Sequence, residues 1–214
     1  MLSHVGDVDV DRRFWATYLL TELVYPDALD ALVERVFDDE ARVRRAARAA
    51  ARAMAEVHPG VLVERLDTIA ADEKLINARR VLAIEALGET REPHAVPAII
   101  AHLEDSAGEI VTAARAALIA ITRQDYGFNA DRWDAWWVAN QSRHRIEWLI
   151  DALMHDHAAI RAAAGEELKI TTKEYFGYYD DLPKRERERA QSRYREWWNT
   201  VGRVRFSRAS SRWR

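Results

Sequence analysis

The sequence predicts an all-α fold: a right-handed α-solenoid of about five helical hairpins, with two aromatic-rich insert helices. Three observations predict it. An apolar residue or an arginine is followed, three and four places on, by two small or apolar residues and, seven and eight places on, by two more. The pattern is clearest at Val43/Ala46/Ala47/Ala50/Ala51, Ile110/Ala113/Ala114/Ala117/Leu118 and Ile160/Ala163/Ala164/Leu168. Proline turns and acidic tracts alternate between these helices. The last two units, finally, repeat one another over a long ungapped stretch.

The eighth positions of the pattern are Leu20, Ala51, Leu87, Leu118 and Leu168, separated by 31, 36, 31 and 50 residues. Two-helix repeats have periods of roughly 30–47 residues. Small residues at i+3 and i+4 let neighbouring helices approach to about 8–10 Å, so successive hairpins can nest. Tyr25-Pro26-Asp27 turns the first unit into the helix that begins at Ala28, and Arg91-Glu92-Pro93 does the same before Ala95. Proline fixes φ there and tolerates the first helical position, where its missing N–H costs nothing. Asp38-Asp39-Glu40 and Glu104-Asp105 then introduce the next first helix, where carboxylates suit the positive end of the dipole. These signals place the units at 8–38, 39–71, 72–105, 106–156 and 157–206, with a basic tail at 207–214 and the second helix of each unit lining a concave face.

Leu87-Gly88-Glu89-Thr90-Arg91-Glu92-Pro93-His94-Ala95-Val96-Pro97-Ala98-Ile99-Ile100 resembles the HEAT-repeat superfamily, in particular the short bacterial form called PBS-lyase HEAT-like repeats. The likeness extends over nearly the whole chain. It implies a shape rather than an activity, because such repeats serve scaffolds, transport adaptors and several enzymes.

The fourth and fifth units carry a duplication. Residues 110–128 align with 160–178 at an offset of 50, pairing Leu118 with Leu168, Thr122 with Thr172, Tyr126 with Phe176, Gly127 with Gly177 and Phe128 with Tyr178. Further on, Trp133/Trp136/Trp137 match Tyr194/Trp197/Trp198. Spacing of i, i+3, i+4 sets three rings on one helical face. The expectation is an extra helix folded back over its own unit, with Gly127 or Gly177 ending the preceding helix in a left-handed cap. The alternative is an exposed platform for a peptide or a base.

Composition narrows the classes of function. With 49% hydrophobic and 31% charged residues in 214, the chain has ample apolar surface to bury. It has no cysteine, which removes disulfides, thiolate metal sites and a cysteine nucleophile. There is no apolar run of about 20 residues and no signal-peptide pattern, so a cytoplasmic protein without a membrane segment is expected. No nucleotide-binding glycine loop, serine elbow or zinc-protease helix occurs. His155-Asp156-His157 is the closest histidine pair, but residues two apart on a helix diverge, and Asp38/Asp39 and Asp180/Asp181 suit helix starts. No catalytic residue, metal ligand or cofactor site is therefore assigned.

Charge supplies the candidate binding residues. Lys184 and ten arginines against three glutamates give residues 184–214 a charge of +8, leaving −11 for residues 1–183 out of a total of −3. Lys184 to Arg189 alternates in sign and reads as a solvated helix. Beyond Gly202 no acid intervenes. Arg203, Arg205, Arg208, Arg212, Trp213 and Arg214 would form a flexible tail that grips an acidic protein face, the chain's own acidic body or phosphates. The expected function is a non-catalytic scaffold for a protein partner, and the alternative is nucleic-acid binding through this arginine-rich segment. The first helix lacks a polar capping partner, as expected of a piece of a longer chain in which Phe14, Trp15, Tyr18 and Leu19 meet what precedes them. In a whole chain, residues 1–10 would cover these four.

Overall fold

The first helix of the pattern runs Val10–Leu19 (α1), and Asp9 begins it by accepting the amides of Asp11 and Arg12 on its side chain. The chain then alternates through α2 (Leu29–Val36), α3 (Ala41–Val57), α4 (Val61–Ala71), α5 (Asn77–Thr90), α6 (Val96–Ala101), α7 (Gly108–Thr122), α8 (Ala130–Asn140), α9 (Arg145–Ala152), α10 (Ala158–Thr172) and α11 (Lys184–Trp197). A π-turn at Trp198–Gly202 leads directly into α12 (Arg203–Ser210). This computed structural model describes residues 5–210, with side chains described through Phe206. Among the described residues all regular structure is helical. Pro26 and Pro93 each open a 3₁₀ turn that runs into α2 and α6, as their fixed φ allows.

The chain divides into two compact units, one of residues 1–121 and 125–139, the other of residues 122–124 and 140–214. The stretch 106–156 therefore contributes α7 and α8 to the first and α9 to the second.

In the first unit α1 packs on α3, and α3 on α5, while α2 and α4 lie against α3 and α5. The pattern residues form the seams: Val43, Ala46, Ala47, Ala50 and Ala51 of α3 and Ile110, Ala113, Ala114, Ala117 and Leu118 of α7 are all buried. Gly88 brings α5 onto α7. A Cβ at that position would lie 2.8 Å from the Cα of Ala117 and 2.9 Å from its Cβ. Helix propensity alone would favour Gly88→Ala by about 1 kcal/mol, but displacing a neighbouring backbone costs about 1–3 kcal/mol. Gly88→Leu, with more bulk still, is expected to lower the unfolding free energy by about 2 kcal/mol or more in urea titration; a gain would show that the two helices do not touch here.

In the second unit α9 packs against α10 and α11. Buried Ile146, Leu149 and Ile150 of α9, with Leu153 just past its end, join Ile160, Ala164 and Leu168 of α10 and Ala190, Tyr194 and Trp197 of α11 in its core.

The left-handed caps lie elsewhere than the sequence suggests. Gly127 and Gly177 do have positive φ, 66° and 74°, but they sit in the turns that follow. The caps are Arg91, Arg123 and Lys173, at φ 55°, 56° and 59°. Each follows a threonine, and the hydroxyls of Thr90, Thr122 and Thr172 accept the amides of Glu92, Gln124 and Glu174 at 3.1–3.3 Å. The hydroxyl satisfies an amide beyond the helix end, which holds the intervening residue left-handed without glycine. The threonine-base-acid/amide triplet is the third repeated element of the sequence.

Candidate functional site

The residue after the first position of the helical pattern is arginine in four of five helices, Arg13, Arg44, Arg80 and Arg161, with Val111 in the other. Arg13, Arg44 and Arg161 act alike. Each guanidinium folds back to two backbone carbonyls five and six residues upstream: Asp7 and Val8 at 3.1 Å, Asp38 and Asp39 at 2.7 and 2.8 Å, and His155 and Asp156 at 2.8 and 2.7 Å. Carbonyls left over in a tight turn are satisfied by a cation that the next helix supplies.

Arg13 also pairs in bidentate fashion with Asp38, 25 residues on, at 2.9 and 3.0 Å, and Arg80 pairs with Asp105 over the same interval. Arg35 adds a third bond to Asp38 at 2.6 Å, and the Glu40 amide adds another. Asp38 is only 5% exposed. Burial by itself raises its pKa, but the hydrogen bonds from Arg13 and Glu40 outweigh it and pull the carboxyl down to about 2. Asp105 is shifted the same way, burial again opposed by the Ala107 amide and Arg80. Asp38 was expected to serve a helix start; with Arg13 it forms a buried pair that joins α1 to the turn before α3.

A carboxyl with a depressed folded pKa stabilises the fold fully above its unfolded pKa and loses that stabilisation as pH falls toward the folded value. For Asp38 the window is about pH 4 down to about pH 2, and the contribution is about 2 kcal/mol. Urea titrations should show this acid loss in the native chain and less of it in Asp38→Asn; equal pH slopes would deny Asp38 the role.

The second unit holds a denser cluster. Glu167, 4% exposed on α10, accepts from Arg123 at 3.0 Å and from Arg145 at 2.5 Å. Arg123 reaches it because its left-handed backbone ends α7. One signal in the sequence points to this carboxylate: its column is Leu19, Ala50, Ala86 and Ala117 in the other helices.

The aromatic modules are mostly interior. Trp133, Tyr194, Trp197 and Trp198 are buried, while Trp136 and Trp137 are half-buried. Trp133 stands edge-on to Tyr126 at 5.1 Å and donates its indole N–H to the Gly127 carbonyl at 3.0 Å. Tyr194 stands edge-on to Phe176 at 4.7 Å in the second copy. Next to the second module the surface opens into a cleft of about 360 Å³, bordered by Gly165, Tyr175, Tyr178 and Tyr179.

The arginines beyond Gly202 do not begin a loose tail. Arg203 and Arg205 lie on α12, where Arg203 pairs with Glu147 at 3.5 Å and Arg205 with Glu174 at 3.2 Å. The Arg208 side chain and Arg212, Trp213 and Arg214 lie outside the described residues. His155 Nδ1 accepts the His157 amide at 3.0 Å, and among the described residues no three metal-capable side chains converge. On α1, Trp15, Tyr18 and Leu19 are exposed and Phe14 is half-buried, with the Phe14 and Trp15 rings 5.1 Å apart.

Compared with protein-family models and with curated proteins, the chain matches none.

Proposed function

We propose that this protein is a non-catalytic, HEAT-like repeat scaffold that binds a protein partner in the bacterial cytoplasm. One observation carries the reading: a single arginine position, in three of the five pattern helices, binds the backbone carbonyls of the turn that precedes its own helix. A recurring device of this kind suits a chain of repeated hairpins, and stacked hairpins present extended binding surfaces. The buried carboxylates Asp38 and Glu167 and the part-buried Asp105 are likewise held by arginines of the framework. Arg203 and Arg205, neutralised by Glu147 and Glu174, favour a protein partner over a phosphate backbone.

The test is reconstitution. The full chain is used to capture partners from native bacterial extract, and each captured protein is purified and mixed with it. A stoichiometric complex by light scattering is the expected result; failure of every captured protein to re-form one would overturn the proposal. Gel mobility of DNA and RNA at low salt is expected to stay unchanged on addition of the chain, because an acidic body repels a polyanion.

A further inference from the structure

Residues 195–203 are built around a turn that an α-helix would not make. Arg203 donates its amide to the Trp198 carbonyl, five residues back, so this π-turn holds one residue more than an α-helical turn does. In a straight α-helix Arg203 would drift about 80° around the axis from Arg195. The extra residue corrects the drift, and both arginines reach α9, Arg195 at Asp151 and Arg203 at Glu147. Gly202 permits the turn, since a Cβ there would lie 2.5 Å from the Trp198 ring. The two cations belong to the second aromatic module alone. At the offset of 61 that pairs Trp133 with Tyr194, their counterparts are Asp134 and Ser142.

Between α9, α11 and the start of α12 lies a cavity of about 170 Å³. The charges that border it are Arg143, Arg195 and Arg203 against Glu147 and Asp151, one cation in excess. Each acid is shared. Asp151 accepts from Arg143 at 2.7 Å and from Arg195 at 3.1 Å, and Glu147 lies 3.6 Å from Arg143 and 3.5 Å from Arg203. A guanidinium offers five N–H donors, so most of those on Arg195 and Arg203 are left for another acceptor. Trp198 forms a further wall. It is 4% exposed, and its enclosed indole N–H meets no acceptor among the described residues, a state in which buried N–H groups are seldom left.

We infer that this cavity receives a single carboxylate group. Its surplus polar groups are donors, which calls for an acceptor, and its one excess cation calls for one negative charge. A carboxylate supplies that charge on two coplanar oxygens that match the edge of a guanidinium. An amide offers an acceptor without the charge, and a phosphate monoester carries close to two charges at neutral pH, one of which would stay unbalanced. Two sources present the group, an acidic side chain of a polypeptide and a free small carboxylate. The site belongs to the second unit alone and stands whether or not the reconstitution above yields a complex.

The experiment titrates the isotope-labelled full chain with an acetylated, amidated Gly-Ser-Glu-Ser-Gly peptide and follows the indole N–H signals, that of Trp198 being identified by its loss in Trp198→Phe. The expected result is a saturable shift of the Trp198 indole, with the glutamine peptide at least about 10-fold weaker and the phosphoserine peptide no tighter. Arg195→Gln and Arg203→Gln, at side chains 56% and 58% exposed and so compatible with folding, are each expected to weaken the glutamate peptide about 10-fold with the remaining spectrum unchanged. Acetate divides the sources: binding as tight as that of the peptide assigns the site to a free small carboxylate, weaker binding assigns it to an acidic side chain, and either result supports the site. Equal binding of the glutamine peptide, tighter binding of the phosphoserine peptide, unaltered affinity in both arginine variants, a Trp198 indole that stays fixed while other signals move, or no shift up to the solubility limit would each overturn the assignment.

Discussion

Glu167→Ala is expected to lower the unfolding free energy by about 3–5 kcal/mol, the largest loss from any single charged side chain among those described. The carboxylate is buried and bonded on both oxygens, to Arg123 through Oε2 and to Arg145 through Oε1, and both arginine side chains are themselves largely buried. Removing the acid leaves two cations desolvated with their common counter-charge gone. The penalty is therefore the cost of taking a buried counter-charge away from two cations and exceeds the net worth of the intact cluster. Two further variants separate these terms. Glu167→Gln keeps an acceptor and should lose less than Glu167→Ala, and adding Arg145→Ala to Glu167→Ala should recover part of the loss, giving a coupling of about 1–3 kcal/mol in the double-mutant cycle. Urea titration followed by tryptophan emission measures all three. A loss below about 1 kcal/mol for Glu167→Ala would place the cluster in solvent.

Trp133→Ala carries the second large effect, a loss of about 3–5 kcal/mol. Trp133 is fully buried, and alanine would leave the edge contacts of Tyr126 and Trp136 facing a void. The Gly127 carbonyl would also lose the indole N–H that it accepts. Trp133→Phe keeps most of the packing and forfeits this bond, so it should cost about 1 kcal/mol plus a smaller packing term. Since the module is duplicated, Tyr194→Ala offers an internal comparison: Tyr194 is also buried, and burial holds its hydroxyl proton, raising the pKa to about 12. Thermal melts of the two Trp133 variants check the order Trp133→Ala below Trp133→Phe below native; a melt of Trp133→Ala that matches native would mean that the ring is not part of the core.

Much of the local structure was legible. Periodicity marks the buried stripes because a helix repeats every 3.6 residues wherever it lies, so Val43 to Ala51 and Ile110 to Leu118 declare their inward face without any knowledge of the neighbour. The prolines at 26 and 93 announce turns for an equally local reason. Glycine, by contrast, misled: Gly127 and Gly177 look like caps, but a threonine hydroxyl three times takes the amide that follows a left-handed arginine or lysine. The arginine column was visible as letters and silent as chemistry, since nothing in one helix says which carbonyl or carboxylate a long side chain will reach.

By itself, then, the sequence determined which segments are helical, which face of each is apolar and that two modules are copies, all of which follow from backbone geometry and side-chain volume over a few residues. Only the tertiary structure decided where the charges go. It brought Asp38 between Arg13 and Arg35 and set Glu167 against Arg123 and Arg145. It turned Arg203 and Arg205 back on Glu147 and Glu174, and it opened a tyrosine-walled cleft beside Gly165. The physical reason is range. Helix formation and burial patterns are set by neighbours three or four residues away, whereas the ion pairs of Arg13, Arg123, Arg145, Arg203 and Arg205 join side chains 22–56 residues apart, whose distance is fixed only when the helices have packed.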